Sequence, residues 1–117
     1  MNSSAHTSVP EPLISQLAHE ADLLDLIELF VHELPRRVEA MEAALHANDL
    51  SALAGIVHQL KGAAGSYGFP IITLAAKQLE DAAKSGAAPE QLASDMRRVA
   101  GLCARARAAP ACAERGV

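Results

Sequence analysis

The sequence has few aromatic residues, few cysteines and no long apolar run. Among its 117 residues there is no tryptophan, one tyrosine and two phenylalanines, although half of the residues are hydrophobic. Because β-strands favour aromatic and β-branched residues, this composition favours packed helices. There is no run of about 18 apolar residues, so no transmembrane helix is predicted. The N-terminus also lacks a basic flank before an apolar core, so no signal peptide is predicted.

Cysteine spacing and charge narrow the possible functions further. Cys103 and Cys112 are nine residues apart, which is not the CxxC spacing of a redox or zinc site. Cys103 falls on an apolar helical stripe and is predicted to be a buried thiol, so we expect a reduced, cytoplasmic protein. The formal charge of -4 argues against nucleic-acid binding, which needs a basic patch. No metal site is predicted, because tight ligand spacing is absent among His6, His19, His32 and His46.

The apolar spacing predicts helices along most of the chain, with steps of three and four residues between apolar positions. The predicted fold class is all-α: an antiparallel up-down four-helix bundle with an additional short N-terminal helix. The bundle domain is predicted at residues 11–108, with flexible tails at 1–10 and 109–117. Its helices are predicted at 11–19, 22–48, 50–66, 70–86 and from 89 until Pro110 ends the last one.

Single residues predict details of these helices. Asp22 is a favourable N-cap for the long second helix, and Pro35 predicts a kink there rather than a break. Asn48 and Asp49 end that helix and cap the next one, and Gly86 is a suitable C-terminal stop. In the helix that begins at Pro70, the spacing predicts an inward face that consists of Ile71, Leu74, Ala75, Leu79 and Ala82.

His58 lies opposite the apolar face of the helix at 50–66, at about 100° per residue. Because a helical glycine is about 1 kcal/mol less favourable than alanine, we interpret the small residues around His58 as access for a large partner. Lys61, at the i+3 position, places a positive charge beside His58, which suits a phosphoryl group on a ring nitrogen. The predicted neighbours of His58 on this face are Ala54, Gly55, Lys61, Gly62, Gly65 and Ser66.

Glu80 is a candidate to orient the His58 ring. The helices at 50–66 and 70–86 turn around near Phe69, and His58 and Glu80 are each 11 residues from that point. Antiparallel neighbours place such residues at about the same height. Glu80 can then accept a hydrogen bond from His58 Nδ1 and leave Nε2 free to attack. The alternative is an ordinary solvated glutamate on the helix surface.

The stretch H-Q-L-K-G-A-A-G-S-Y-G resembles the signature of histidine-phosphotransfer (HPt) domains of bacterial phosphorelays. The likeness extends from about Asp22 to about Arg107. It implies that His58 accepts a phosphoryl group from a receiver-domain aspartate and passes it to another, without kinase activity of its own. It also implies that the partner receiver supplies Mg²⁺ and that Gln or Glu is usual at the position of Glu80. The residues that match are His58, Lys61, Gly62, Gly65, Ser66 and Gly68.

Several alternatives stay open at this point. The chain could be a helical adaptor that binds and sequesters receivers without being phosphorylated, or the phosphoacceptor domain of a chemotaxis-type kinase. A hydrolase with His58 as general base is disfavoured, because Ser66 is two turns away. Lys61 could be merely solvated, Gly62 and Gly65 could serve helix packing, and Ser66 could only cap the helix.

The expected partners are receiver domains, including those of a hybrid sensor kinase, and not nucleic acid or a membrane. We expect a monomer, because the His58 face must stay open. Whether the chain is free-standing or a module of a hybrid histidine kinase is left open.

Overall fold

The computed structural model describes residues 11–110. The predicted tail at 1–10 lies outside the described residues, as do residues 111–117 of the predicted tail at 109–117. The prediction of a helical protein with four main helices is confirmed. The helix boundaries agree closely with those predicted from residue 50 to residue 86. The elements in chain order are β1 (Leu13–Ile14), α1 (Ala21–His46), α2 (Leu50–Ser66), α3 (Pro70–Ser85), α4 (Pro89–Arg105) and β2 (Ala106–Arg107).

The helix ends follow from local chemistry, with one correction. Glu20, not Asp22, is the N-cap of α1, and Asp22 lies in the first turn, where its charge suits the positive end of the helix dipole. The Asp49 side chain caps α2 as predicted and accepts a hydrogen bond from the Ala52 backbone N–H at 3.1 Å. Gly86 ends α3 in the left-handed conformation with φ of 70°, which glycine adopts without strain. Helix α1 continues through Pro35.

The apolar faces of the four helices share one core. All the aromatic residues of the chain meet in it: the Phe30 ring centroid lies 5.3 Å from that of Tyr67 and 5.8 Å from that of Phe69. Cys103 is buried, as predicted, and burial raises the pKa of its thiol to about 12. None of the described helices is long and apolar enough to span a bilayer.

The predicted inward face of α3 is partly wrong. Ala75 and Leu79 are buried, but Ile71 and Leu74 are exposed, whereas Ile72 is fully buried. The buried arc of α3 is therefore rotated away from Leu74, because this helix packs against α2 on one side and α4 on the other. Periodicity alone does not specify which of two adjacent faces of a helix packs against the neighbouring helices.

The predicted N-terminal helix at 11–19 is wrong. Leu13 and Ile14 form strand β1, which pairs in parallel with β2, and turns follow at residues 16–19. Two long-range backbone hydrogen bonds hold this segment: Ser15 N–H donates to Arg107 O at 3.1 Å, and Gln16 N–H donates to Gly68 O at 2.8 Å. The strand pairing also ends the last helix at Arg105, earlier than predicted.

Helices α2 and α3 position the candidate site. The Thr73 hydroxyl donates to Lys61 O at 3.1 Å, and His58 contacts Glu80. Earlier residues of α2 thus contact later residues of α3, so these two helices lie side by side and run in opposite directions. The short connection at 67–69 makes this close pairing possible.

Candidate functional site

His58 projects from the middle of α2 beside α3. Its side chain is 65% exposed, and it lines a groove, open to solvent, between the two helices. Gly55 and Ala54 form part of the α2 wall of this groove, and Glu80 and Lys84 form part of the α3 wall. The imidazole is thus accessible to a large partner, which the helical pattern predicted.

Glu80 binds three side chains at once, although its own side chain is only 3% exposed. Its Oε1 accepts a hydrogen bond from Lys61 Nζ at 2.8 Å. Its Oε2 contacts both His58 Nδ1 and Lys84 Nζ, each at 3.0 Å. A buried carboxylate is tolerated where such donors compensate for its lost hydration.

The lysines also control the charge of Glu80. Hydrogen bonds from Lys61 and then Lys84 lower its pKa from the ordinary 4.5 to about 2, against the opposing effect of burial, and His58 contributes in the same direction as the lysines. Glu80 is therefore ionised at neutral pH. An ionised carboxylate only accepts hydrogen bonds, so a hydrogen bond to His58 requires the proton on Nδ1. In the neutral ring, Nε2 then carries the free lone pair.

The small residues near His58 differ in their surroundings. A Cβ atom added at Gly55 or Gly62 would meet no atom within 4 Å, whereas one at Gly65 would lie 3.4 Å from Thr73 Oγ1. Gly65 therefore borders helix α3 as well as solvent. Ser66 is exposed and is the last residue of α2. Open space is thus found at Gly55 and Gly62, on the same helix face as His58.

Sequence reasoning missed Lys84 as a member of this cluster. Its spacing of four residues from Glu80 is the signal that could have found it, because such residues are neighbours on a helix. Within residues 11–110, no three His, Cys, Asp or Glu side chains are grouped so that they could hold a metal ion. His32 and His46 are exposed on α1, and His6 lies outside the described residues.

Comparison with known proteins supplies independent evidence. A family model described as "Hpt domain" matches residues 25–109, which is most of the chain. No curated protein and no solved structure matches the chain significantly. Members of the matched family are phosphocarriers that interact with receiver domains in two-component phosphorelays. The exposed histidine, the four helices and this match together lead to one conclusion: the chain belongs to the Hpt domain family.

Proposed function

We propose that His58 accepts a phosphoryl group from the aspartate of one receiver domain and passes it to the aspartate of another. The observation that carries this proposal is the contact between His58 Nδ1 and the buried Glu80 carboxylate, beside a ring that is otherwise largely exposed. A nucleophile that serves a protein partner needs both an oriented ring and free access. Membership of the Hpt family supports the same class of reaction.

The chemistry follows from the protonation of the ring. The lone pair of His58 Nε2 attacks the phosphorus of the aspartyl phosphate; the N–P bond forms, the P–O bond breaks, and the receiver carboxylate leaves as an anion. Because Nδ1 keeps its proton, the phosphorylated ring carries a positive charge. The Glu80 carboxylate, 3.0 Å from Nδ1, accepts a hydrogen bond from that N–H and holds the ring in place. The donating step is the reverse reaction with a second receiver.

Lys61 and the small residues have supporting roles in this proposal. The Lys61 side chain is 29% exposed, so its ammonium is held beside the site but is still available to a phosphoryl group. Gly62, Gly65 and Ser66 leave room for the receiver. The open space at Gly62 supports this role directly, whereas Gly65 also allows close approach of α3.

We propose that the receiver domain supplies Mg²⁺ and the remaining catalytic groups. Phosphoryl transfer needs charge neutralisation and in-line alignment. Among residues 11–110, the only carboxylate in contact with His58 is that of Glu80, which is already shared among three donors. The carrier in this proposal is a monomeric cytoplasmic protein of a bacterial two-component system and has no kinase activity. The four helices in this proposal run up and down in antiparallel order.

The test is incubation with a phosphorylated receiver domain and Mg²⁺, followed by detection of the label on each protein. Wild type would be compared with His58→Gln and with His32→Gln, which changes an exposed histidine on α1. We expect label on wild type and His32→Gln and none on His58→Gln. The label should be acid-labile and alkali-stable, as a phosphoramidate is.

Other results would contradict the proposal in different ways. Label on His58→Gln would mean that another residue is the acceptor. Absence of label from all three proteins, with receivers still bound, would support the non-phosphorylated adaptor instead.

A further inference from the structure

In the reaction proposed above, Lys84 acts only through the charge of Glu80. Its Nζ lies 3.0 Å from Glu80 Oε2, the oxygen that also contacts His58 Nδ1. Its side chain is 64% exposed, and it lines the groove that contains His58. The Lys84 ammonium therefore lies beside the imidazole, in the space through which a partner reaches it.

Lys61 and Lys84 approach Glu80 from opposite directions along the bundle. Lys61 follows His58 by one turn of α2, whereas Lys84 follows Glu80 by one turn of α3, which runs the other way. The groove that Lys84 lines extends towards Ser51, at the start of α2. The two ammonium groups consequently flank the imidazole, one on each side along the helix axis.

The Lys84 ammonium can easily exchange Glu80 for another anionic partner. The Lys84 side chain is exposed although Glu80 is buried, so the ammonium can leave Glu80 while it stays hydrated. A phosphoryl group with up to two negative charges attracts an ammonium more strongly than a carboxylate that is already shared with Lys61 and His58. Glu80 keeps these two partners when Lys84 leaves, so it is not left uncompensated.

We propose that Lys84 is a second phosphoryl-binding residue, which moves from Glu80 to the phosphoryl oxygens when His58 carries this group. The inference rests on the proposed phosphocarrier function. Only ionic contacts are exchanged, and no covalent bond changes. Since Lys84 then stabilises phosphohistidine relative to free histidine, the equilibrium of transfer between receiver and carrier depends on it.

The experiment compares wild type, Lys84→Met, Lys84→Arg and Lys77→Met. Lys77 is the matched control, because it forms an exposed i,i+4 pair with Asp81 on the same helix. The first readout is the distribution of phosphoryl groups between a receiver and the carrier at equilibrium. The second is the ³¹P resonance of carrier that has been phosphorylated with phosphoramidate, followed against pH.

For Lys84→Met, we expect a shift of the transfer equilibrium towards the receiver by about 3- to 10-fold. The midpoint of its ³¹P titration should rise, because a nearby cation favours the more negative phosphoryl form. Lys84→Arg should behave almost as wild type, and Lys77→Met should be unchanged. A merely structural role of Lys84 would not move the ³¹P midpoint.

Two results separate the inference from the function on which it rests. If wild type is phosphorylated but Lys84→Met and Lys77→Met are indistinguishable in both readouts, the role of Lys84 is wrong and the carrier function stands. If wild type takes up no label from receivers or from phosphoramidate, the carrier function and the role of Lys84 are both wrong.

Discussion

Glu80 joins two helices through one carboxylate. It accepts hydrogen bonds from Lys61 on α2 and Lys84 on α3 and contacts the His58 ring. Its burial excludes the alternative of a solvated surface glutamate. Since removal of a donor would leave a buried charge less well compensated, the three partners and the carboxylate form one unit at the residue scale.

The charge of Glu80 predicts a specific dependence of stability on pH. Its pKa is about 2 in the folded state, below the ordinary 4.5. Its contribution to stability is therefore complete above about pH 5.5 and is lost as the pH falls through 4.5 towards 2. The pKa shift sets an upper bound of about 3 kcal/mol on the contribution of ionised Glu80 to the free energy of unfolding. Solvent screening of the exposed Lys84 and His58 reduces this to about 1–2 kcal/mol. Urea unfolding of wild type and Glu80→Gln between pH 7 and 3 measures it.

The difference in unfolding free energy between wild type and Glu80→Gln should be constant above about pH 5.5 and should shrink below pH 4.5. A difference that stays constant down to pH 3 would contradict an ionised, lysine-bound Glu80. Because glutamine keeps an acceptor oxygen for His58 Nδ1, we expect Glu80→Gln to retain nearly normal phosphotransfer.

At the scale of the element, α2 combines a packed face with an exposed face on which glycines lie beside His58. Leu53, Val57 and Leu60 are fully buried, whereas a Cβ atom at Gly55 or Gly62 would meet open space. These glycines lower the stability of the helix without relieving any clash. In the proposed function, the benefit is access of a receiver to His58.

Gly62→Gln should therefore have opposite effects on the stability of the protein and on the rate of phosphotransfer. Glutamine is a better helix former, so the free energy of unfolding should rise by about 0.5–1 kcal/mol. The rate of phosphotransfer from a receiver should fall by about tenfold or more, because the new side chain stands one turn from His58. Thermal unfolding and single-turnover transfer measure the two effects.

Gly101→Gln is the control, since Gly101 lies inside α4 and a Cβ atom there also meets open space. It should stabilise the protein similarly and leave transfer unchanged. Equal transfer rates in the two variants would show that Gly62 is not needed for access.

At the scale of the whole molecule, residues 11–16 connect distant parts of the chain. The Ser15 hydroxyl donates to Tyr67 O at 2.6 Å, and its backbone N–H binds Arg107 O. The Arg105 Nε–H also donates to Glu11 O at 2.7 Å. This segment thus joins the turn between α2 and α3 to the end of α4.

Within this junction, we expect Gly68 to be the glycine whose substitution lowers the stability of the protein most. Its φ is 87°, and an added Cβ would lie 2.5 Å from Ser15 Oγ and 2.9 Å from Leu17 N. Gly68→Ala should lower the free energy of unfolding by about 2–4 kcal/mol, through backbone strain and displacement of the segment. Urea unfolding at neutral pH measures this loss.

Gly86→Ala supplies the comparison. Gly86 has a similar φ of 70°, but a Cβ there would meet nothing within 4 Å, so only the conformational cost of about 1–2 kcal/mol is expected. If both variants lost the same stability, the contact with Ser15 would not explain the glycine at position 68.

The sequence by itself determined the features whose causes are local. Periodicity, the Asp49 cap, Gly86 and the prolines at the starts of α3 and α4 set the helix boundaries, because each acts within one or two turns. The same pattern singled out His58 and its small neighbours. The short turn at 67–69 was sufficient to predict that Glu80 lies level with His58, and the antiparallel course of all four helices stays a prediction.

Only the tertiary structure decided features that depend on residues far apart in the chain. The helix predicted at 11–19 is absent from the described residues, because hydrogen bonds to Gly68 and Arg107 hold this segment in strand and turns. Glu80 is buried and binds Lys61 and His58 because α2 and α3 pack closely, whereas its pair with Lys84 is local to α3. Periodicity specifies which residues can face inward, but the packing of neighbouring helices determines which of them are buried and which charges meet.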